Sequence, residues 1–119
     1  MNNQQAFDRM VEHLATQQQQ AVDSEEVCTY RNERGEMCVV GALIPDEEYS
    51  STFEGLSATN VAPLVEALSD VNHSLLNEMQ SAYDQSLHWG RVGFCGWHVV
   101  QNIGEKYGLD TGKCLSNPE

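Results

Sequence analysis

Apolar residues recur at helical spacing at the start of the chain. Phe7, Met10, Val11 and Leu14 fall at i, i+3, i+4 and i+7, with Asp8 and Glu12 off the stripe, which predicts an amphipathic helix. The run Gln17 to Gln20 continues without apolar residues, so the stripe ends there. The pattern then changes period. Val27, Thr29 and Tyr30, and after them Cys38, Val39 and Val40, are strand formers on either side of Asn32-Glu33-Arg34-Gly35. That tetrapeptide suits a turn closed by glycine in the left-handed region, the bulged hairpin connection. The register places Tyr30 opposite Cys38 and Cys28 opposite Val40, so Cys28 and Cys38 share one face. The second strand is expected to run on through a nearly continuous apolar stretch to Ile44.

Pro45 opens a short helix, with Asp46, Glu47 and Glu48 at its positive end. Val61, Leu64, Val65 and Leu68 predict a second helix, capped by Thr59 or Asn60 and carrying Pro63 in its first turn. Leu75, Leu76, Met79, Ala82 and Tyr83 predict a third, capped by Asn72 or Ser74. In the last helix Val92, Cys95, Val99 and Ile103 form one side, and Trp97, Val100 and Tyr107 another. Tyr107-Gly108-Leu109 reads as its stop, with Gly108 left-handed and Leu109 making the apolar contact. The expected fold is a helix-dominated α+β domain with one β-hairpin, in the order helix, hairpin, short helix, three helices. Residues 1–109 are expected to form the domain and residues 110–119 a mobile tail. Two strands alone are marginal, so the hairpin must pack on helices or pair across a homodimer, through its own edge or the last helix.

The stretch Cys28-x-Tyr30-Arg31, Gly35, Cys38-x-Val40-Gly41-x-Leu43-Ile44-Pro45-Asp46-Glu47-x-Tyr49, then Glu54-Gly55, resembles a set of small proteins encoded by phages and prophages. Gln80, Asp84, Trp97, Val100, Ile103 and Tyr107-Gly108-Leu109 extend the resemblance to about 80 residues. It implies a phage-related origin and assigns no chemistry. The stretch from Gly90 to His98, rich in glycine and bearing Cys95 and His98, departs from that set.

Charge narrows the function. The 119 residues hold 6 Lys and Arg against 18 Asp and Glu, a net charge of −12. Such a surface disfavours direct binding to nucleic-acid phosphates. No apolar run is long enough to cross a membrane, and the first residues lack the basic start and apolar core of a signal peptide. A cytoplasmic protein is expected, in the host cell if phage-encoded. Four cysteines, Cys28, Cys38, Cys95 and Cys114, permit two bridges by count, but the cytosolic expectation favours reduced thiols.

Four constellations carry candidate chemistry. Cys95 and His98, at i and i+3 on a helix, with Cys28 and Cys38 on one hairpin face, would make a Cys3His zinc site, with His88 as a replacement ligand. The nine residues between Cys28 and Cys38 exceed the usual zinc-ligand spacing, and core thiols are the plainer reading, so no cofactor is expected. Gly93-Phe94-Cys95-Gly96-Trp97-His98 also has the look of a nucleophilic cysteine beside a helix start, but no orienting acid accompanies it. The glycines at 90, 93, 96 and 104 fit no phosphate loop and more simply admit a bulky neighbour such as Trp89 or Trp97. Arg31 and Arg91, with Tyr83 and Trp97, could line a pocket for a small anionic ligand. The acids Asp23, Glu25 and Glu26, and Asp46, Glu47 and Glu48, flank the hairpin and could draw a basic protein partner. Together these point to a non-catalytic protein that binds a host or phage macromolecule, such as a defence or regulatory component. The alternative is a small-molecule or nucleotide-binding domain, with or without structural zinc.

Overall fold

The first apolar stripe forms α1 (Asn3–Thr16), and Ala6, Phe7, Met10, Val11 and Leu14 are its buried residues. Its start is a reciprocal cap: Gln5 N donates to Asn2 Oδ1 at 2.8 Å and Asn2 N to Gln5 Oε1 at 2.9 Å. This computed structural model describes residues 1–17, 29–32, 34–85, 88–90 and 93–114. Asp23, Glu25, Glu26, Val27, Cys28, Glu33, Arg91 and Val92, all used in the sequence reading, lie outside the described residues. Among the described residues the fold is helix-dominated α+β, with four α-helices and one two-stranded antiparallel sheet.

The sheet is not where the apolar pattern places it. It pairs β1 (Trp89–Gly90) with β2 (Gly93–Phe94), in register Trp89 to Phe94 and Gly90 to Gly93. The expected hairpin keeps its register but shrinks to a single bridge between Arg31 and Met37. Cys38 N donates to Tyr30 O at 3.2 Å, so Tyr30 does lie opposite Cys38. Gly35 N closes the turn on Asn32 O at 3.1 Å, and Gly35 has φ +79°. The ladder stops at Tyr30, whose amide donates to the Glu54 carboxylate at 2.8 Å instead of to Cys38 O; the outward-facing Arg31 amide joins it at 3.2 Å. Gly35→Val should destabilise the protein by roughly 1 kcal/mol or more in urea unfolding, because a β-branched residue resists positive φ. An unchanged midpoint would discard this turn assignment.

The apolar run after Cys38 is also not a strand. Val39 and Val40 turn, and Gly41–Leu43 is a 3-10 turn packed against α1. A helical turn can bury several sides at once, and Cys38, Val39, Val40, Leu43 and Ile44 are all buried. Asp46–Glu48 and Ser51–Phe53 are further 3-10 turns, and Pro45 is the extended residue that precedes the first of them, not its first helical residue.

The second predicted helix is broken. α2 (Ala58–Val61) is capped by Ser57, not by Thr59 or Asn60. Two 3-10 turns follow, Ala62–Leu64 and Glu66–Leu68, with Val65 extended between them. Pro63 cannot donate the amide that a continuous helix needs there. The stripe is cut accordingly: Val61, Val65 and Leu68 are buried, but Leu64 is 60% exposed.

α3 (His73–Asp84) matches its pattern, with Asn72 Oδ1 accepting from Ser74 N and Leu75 N and with all five stripe residues buried. α4 (Trp97–Lys106) starts later than predicted, because residues 93 and 94 are in the sheet and Gly96 is the helix cap. It ends as read: Leu109 N donates to Gly104 O at 2.9 Å, Gly108 N to Glu105 O at 3.0 Å, and Gly108 has φ +68°. Beyond it, Asp110 N donates to Gln4 Oε1 at 2.8 Å and Lys113 pairs with Glu12 at 3.2 Å, so residues 110–114 lie against α1. Among the described residues, β1 and β2 each offer an edge two residues long.

Candidate functional site

The residues of the motif from Tyr30 to Gly55 converge on one carboxylate. Glu54 follows the Ser51–Phe53 turn, which carries it under the Arg31–Met37 bridge. Besides the two amides of Tyr30 and Arg31, it accepts the Tyr49 hydroxyl at 2.5 Å. Burial, and then the Glu54 hydrogen bond and charge, push the Tyr49 phenol up to about 12. The Arg31 guanidinium lies over the Tyr49 ring, 4.6 Å from its centroid. It donates to Ile44 O at 2.6 Å and to Asp46 Oδ1 at 2.7 Å, while its Nε is buried without a partner. The Tyr30 hydroxyl donates to Leu56 O at 2.5 Å, fixing the next turn of chain. This cluster ties the bridge, the Asp46–Glu48 turn and the Ser51–Phe53 turn into one unit. Its chemistry is structural: apart from Arg31 Nε, each of these polar groups is engaged with another part of the fold.

Tyr30 is also a wall of a cavity of about 360 Å³. The opposite wall is one face of α3, where Asn77, Gln80, Ser81 and Asp84 follow each other at helical spacing. Thr29, Gly55, Leu56, Ser57 and Ala58 complete the lining. Gln80 bridges inward and outward, its Nε2 donating to Asp84 Oδ1 at 2.9 Å and its Oε1 accepting from Val40 N at 3.4 Å.

Among the described residues the metal candidates are not gathered. Cys38 is fully buried, burial pushes its thiol well above the usual range, and its Sγ accepts from Gly41 N at 3.2 Å. A thiol held in its protonated form is a poor ligand and a poor nucleophile. Cys95 precedes α4 instead of sharing it with His98, so the i, i+3 argument for that pair does not hold. His98 is exposed, its ring edge-on to His88 at 6.4 Å. Cys28 lies outside the described residues, and among the described residues no group of three or more His, Cys, Asp or Glu could hold a metal ion.

The described members of the expected anion pocket, Arg31, Tyr83 and Trp97, do not line one cavity. Tyr83 and Trp97 are core residues, 0% and 2% exposed. Tyr83 stacks edge-on with Trp89 at 5.1 Å and Trp97 with Phe94 at 5.2 Å. Arg31 belongs to the Glu54 cluster, and Arg91 lies outside the described residues. Gly96 and Gly104 do make room for bulk, but for other partners than the tryptophans, whereas nothing lies within 4 Å of the Cβ position of Gly90. A Cβ on Gly96 would meet the His88 ring at 2.6 Å, and one on Gly104 would meet Phe7 at 2.8 Å.

Of the acids, Asp46 and Glu47 are exposed, and Glu48 accepts from Glu66 N at 2.6 Å. That bond sets the Asp46–Glu48 turn beside the exposed Glu66. Asp23, Glu25 and Glu26 lie outside the described residues. Glu54 and Tyr49 were the residues passed over as site candidates, although both stand in the quoted motif. No helix among the described residues is long and apolar enough to cross a membrane. Comparison with protein-family models, with curated proteins and with solved structures finds no match.

Proposed function

We propose that this chain is a small acidic accessory protein of phage type that acts in the cytoplasm by binding a basic protein, without catalysing a reaction. The observation that carries the reading is a one-sided distribution of charge. Residues 35–90 contain nine Asp and Glu and no Lys or Arg. On the folded chain, Asp46, Glu47, Glu48 and Glu66 of that stretch come together on two adjacent turns, with the exposed Leu64 nearby in sequence. The single Asp46–Arg31 pair is solvent-exposed on its acidic side, so it leaves most of that field uncancelled. Fields of this kind steer an oppositely charged partner and raise its association rate. A nucleotide site draws no support from the cavity beside Tyr30, which no lysine or arginine among the described residues lines.

The partner would be captured from the natural host by pull-down and identified by mass spectrometry, then measured with purified components. Association should slow with added salt, which screens charges beyond about 8 Å at physiological ionic strength. Glu47→Lys, and Glu25→Lys with Glu26→Lys, should slow association more than they speed dissociation. Glu48→Lys should also lose stability, because its carboxylate holds the Glu66 amide. A partner whose binding ignores both salt and these reversals would leave the acidity as a solubility feature only.

A further inference from the structure

His88 is held in place from three directions. Its Nδ1 lies 2.7 Å from Ala82 O, in the last turn of α3, and a carbonyl only accepts, so Nδ1 carries the proton. Its backbone oxygen accepts from Cys95 N at 2.5 Å, which continues the register of β1 and β2 by one more pair. Gly96 makes room for the ring, since a Cβ there would lie 2.6 Å from His88 Cγ. In the neutral imidazole the lone pair then sits on Nε2, and none of the described residues donates to it. Metal-ligating histidines almost always have their other nitrogen fixed by a carbonyl, a carboxylate or a water in this way. His98 supplies a second ring. Gly96 caps α4, so His98 is the second residue of that helix. The two rings stand 6.4 Å apart, centre to centre, with their planes at 83°. Two imidazoles on one tetrahedral ion, with bonds of about 2 Å, stand roughly 5 Å apart by the same measure. His98 is exposed, so rotation of its side chain can close the difference.

We propose that His88 and His98 together bind a divalent transition ion of the zinc or nickel kind, as a two-imidazole chelate whose remaining positions stay open to water. Nitrogen donors suit these ions, whereas magnesium and calcium take oxygen. The bound ion ties the end of α3 to the start of α4, because His88 is hydrogen-bonded to the first and His98 belongs to the second. The chelate differs from the Cys3His set of the sequence reading in needing no cysteine and no third protein ligand. Gly96 and His98, which it uses, lie in the stretch that departs from the phage-type pattern. The inference is independent of the acidic surface.

The test is an NMR titration of the full reduced, isotopically labelled chain with zinc chloride, and with magnesium chloride as the control. Saturable changes are expected in the ring signals of His88 and His98 with zinc and none with magnesium, while His13 and His73 keep their signals. Zinc should also raise the midpoint of thermal unfolding, since an ion that binds only the folded chain stabilises it. His88→Asn removes Nε2 but keeps a donor for Ala82 O, because the asparagine amide nitrogen takes the place of Nδ1. His98→Ala removes an exposed ring. Each variant should keep the fold and weaken zinc binding at least about tenfold. If His88→Asn fails to fold, His98→Ala decides alone. Glu47→Lys, which tests the acidic surface, should leave zinc binding unchanged. The proposal is overturned if zinc produces no saturable change, or if binding is unaltered in His98→Ala. It is equally overturned if magnesium acts as zinc does, or if the shifts fall on Asp46–Glu48 in place of the two rings.

Discussion

Gly41→Ala is expected to cost the fold about 3 kcal/mol, the upper end of the overpacking range. A Cβ at that position would lie 2.1 Å from the Tyr30 carbonyl oxygen and 2.9 Å from its carbonyl carbon. Both are backbone atoms, and they are held from several directions. Tyr30 O accepts from Cys38 N, Tyr30 N donates to Glu54, and the Tyr30 hydroxyl donates to Leu56 O. Moving Tyr30 away would therefore disturb the bridge, the Glu54 cluster and the turn at Leu56 together. Gly90→Ala is the control, because nothing lies within 4 Å of its Cβ position. Urea unfolding of the two variants should show a large drop in midpoint for the first and almost none for the second. Equal midpoints would mean that the chain does not pass this close at Gly41.

Legibility in the sequence followed the range of the interactions. α1, α3 and the stop at Gly108 were readable because their determinants lie within a few residues: apolar stripes, Asn72 as a cap and a left-handed glycine. The turn at Gly35 and the Tyr30–Cys38 register were readable for the same reason. The run from Cys38 to Ile44 was misread because a continuous apolar stretch carries no period. Only the approach of Gly41 to Tyr30, set by the tertiary path, decides for a turn over a strand. The same holds for residues 93–96, where the sheet with Trp89–Gly90 outcompetes the start of a helix.

The chemistry-bearing residues were legible by type and misleading by position. A cysteine inside an apolar run is recruited to the core, where burial raises its thiol, so Cys38 is silent for the reason that made its run look like a strand. Tyr83 and Trp97 are large aromatics, and the core claims them before a pocket can. Glu54 is the opposite case. It stands within the Cys28–Gly55 motif, yet nothing local says that residues 30, 31 and 49 would all donate to it. The cavity beside Tyr30 was equally hidden, since its walls come from segments about 50 residues apart.

Removing that carboxylate is the second change with a large expected effect. Glu54→Ala would leave the amides of Tyr30 and Arg31 and the Tyr49 hydroxyl without their acceptor, and a loss of about 2–4 kcal/mol is expected. Glu54→Gln should lose less, because its remaining oxygen can still accept. Tyr49→Phe deletes one donor only, and its cost should shrink when Glu54 is already alanine. Alkaline pH gives an independent reading. The Tyr49 phenol is raised from 10.0 to about 12, so its contribution is fully present below the unfolded value and is lost as pH rises through the folded one. The native chain should therefore lose stability between about pH 10 and 12 more steeply than Tyr49→Phe does. The comparison isolates Tyr49, since the other raised groups, Tyr30, Cys38, Lys106, Tyr107, Lys113 and Cys114, are present in both proteins. Parallel pH profiles together with an unaffected Glu54→Ala variant would show that the motif does not hold these turns together.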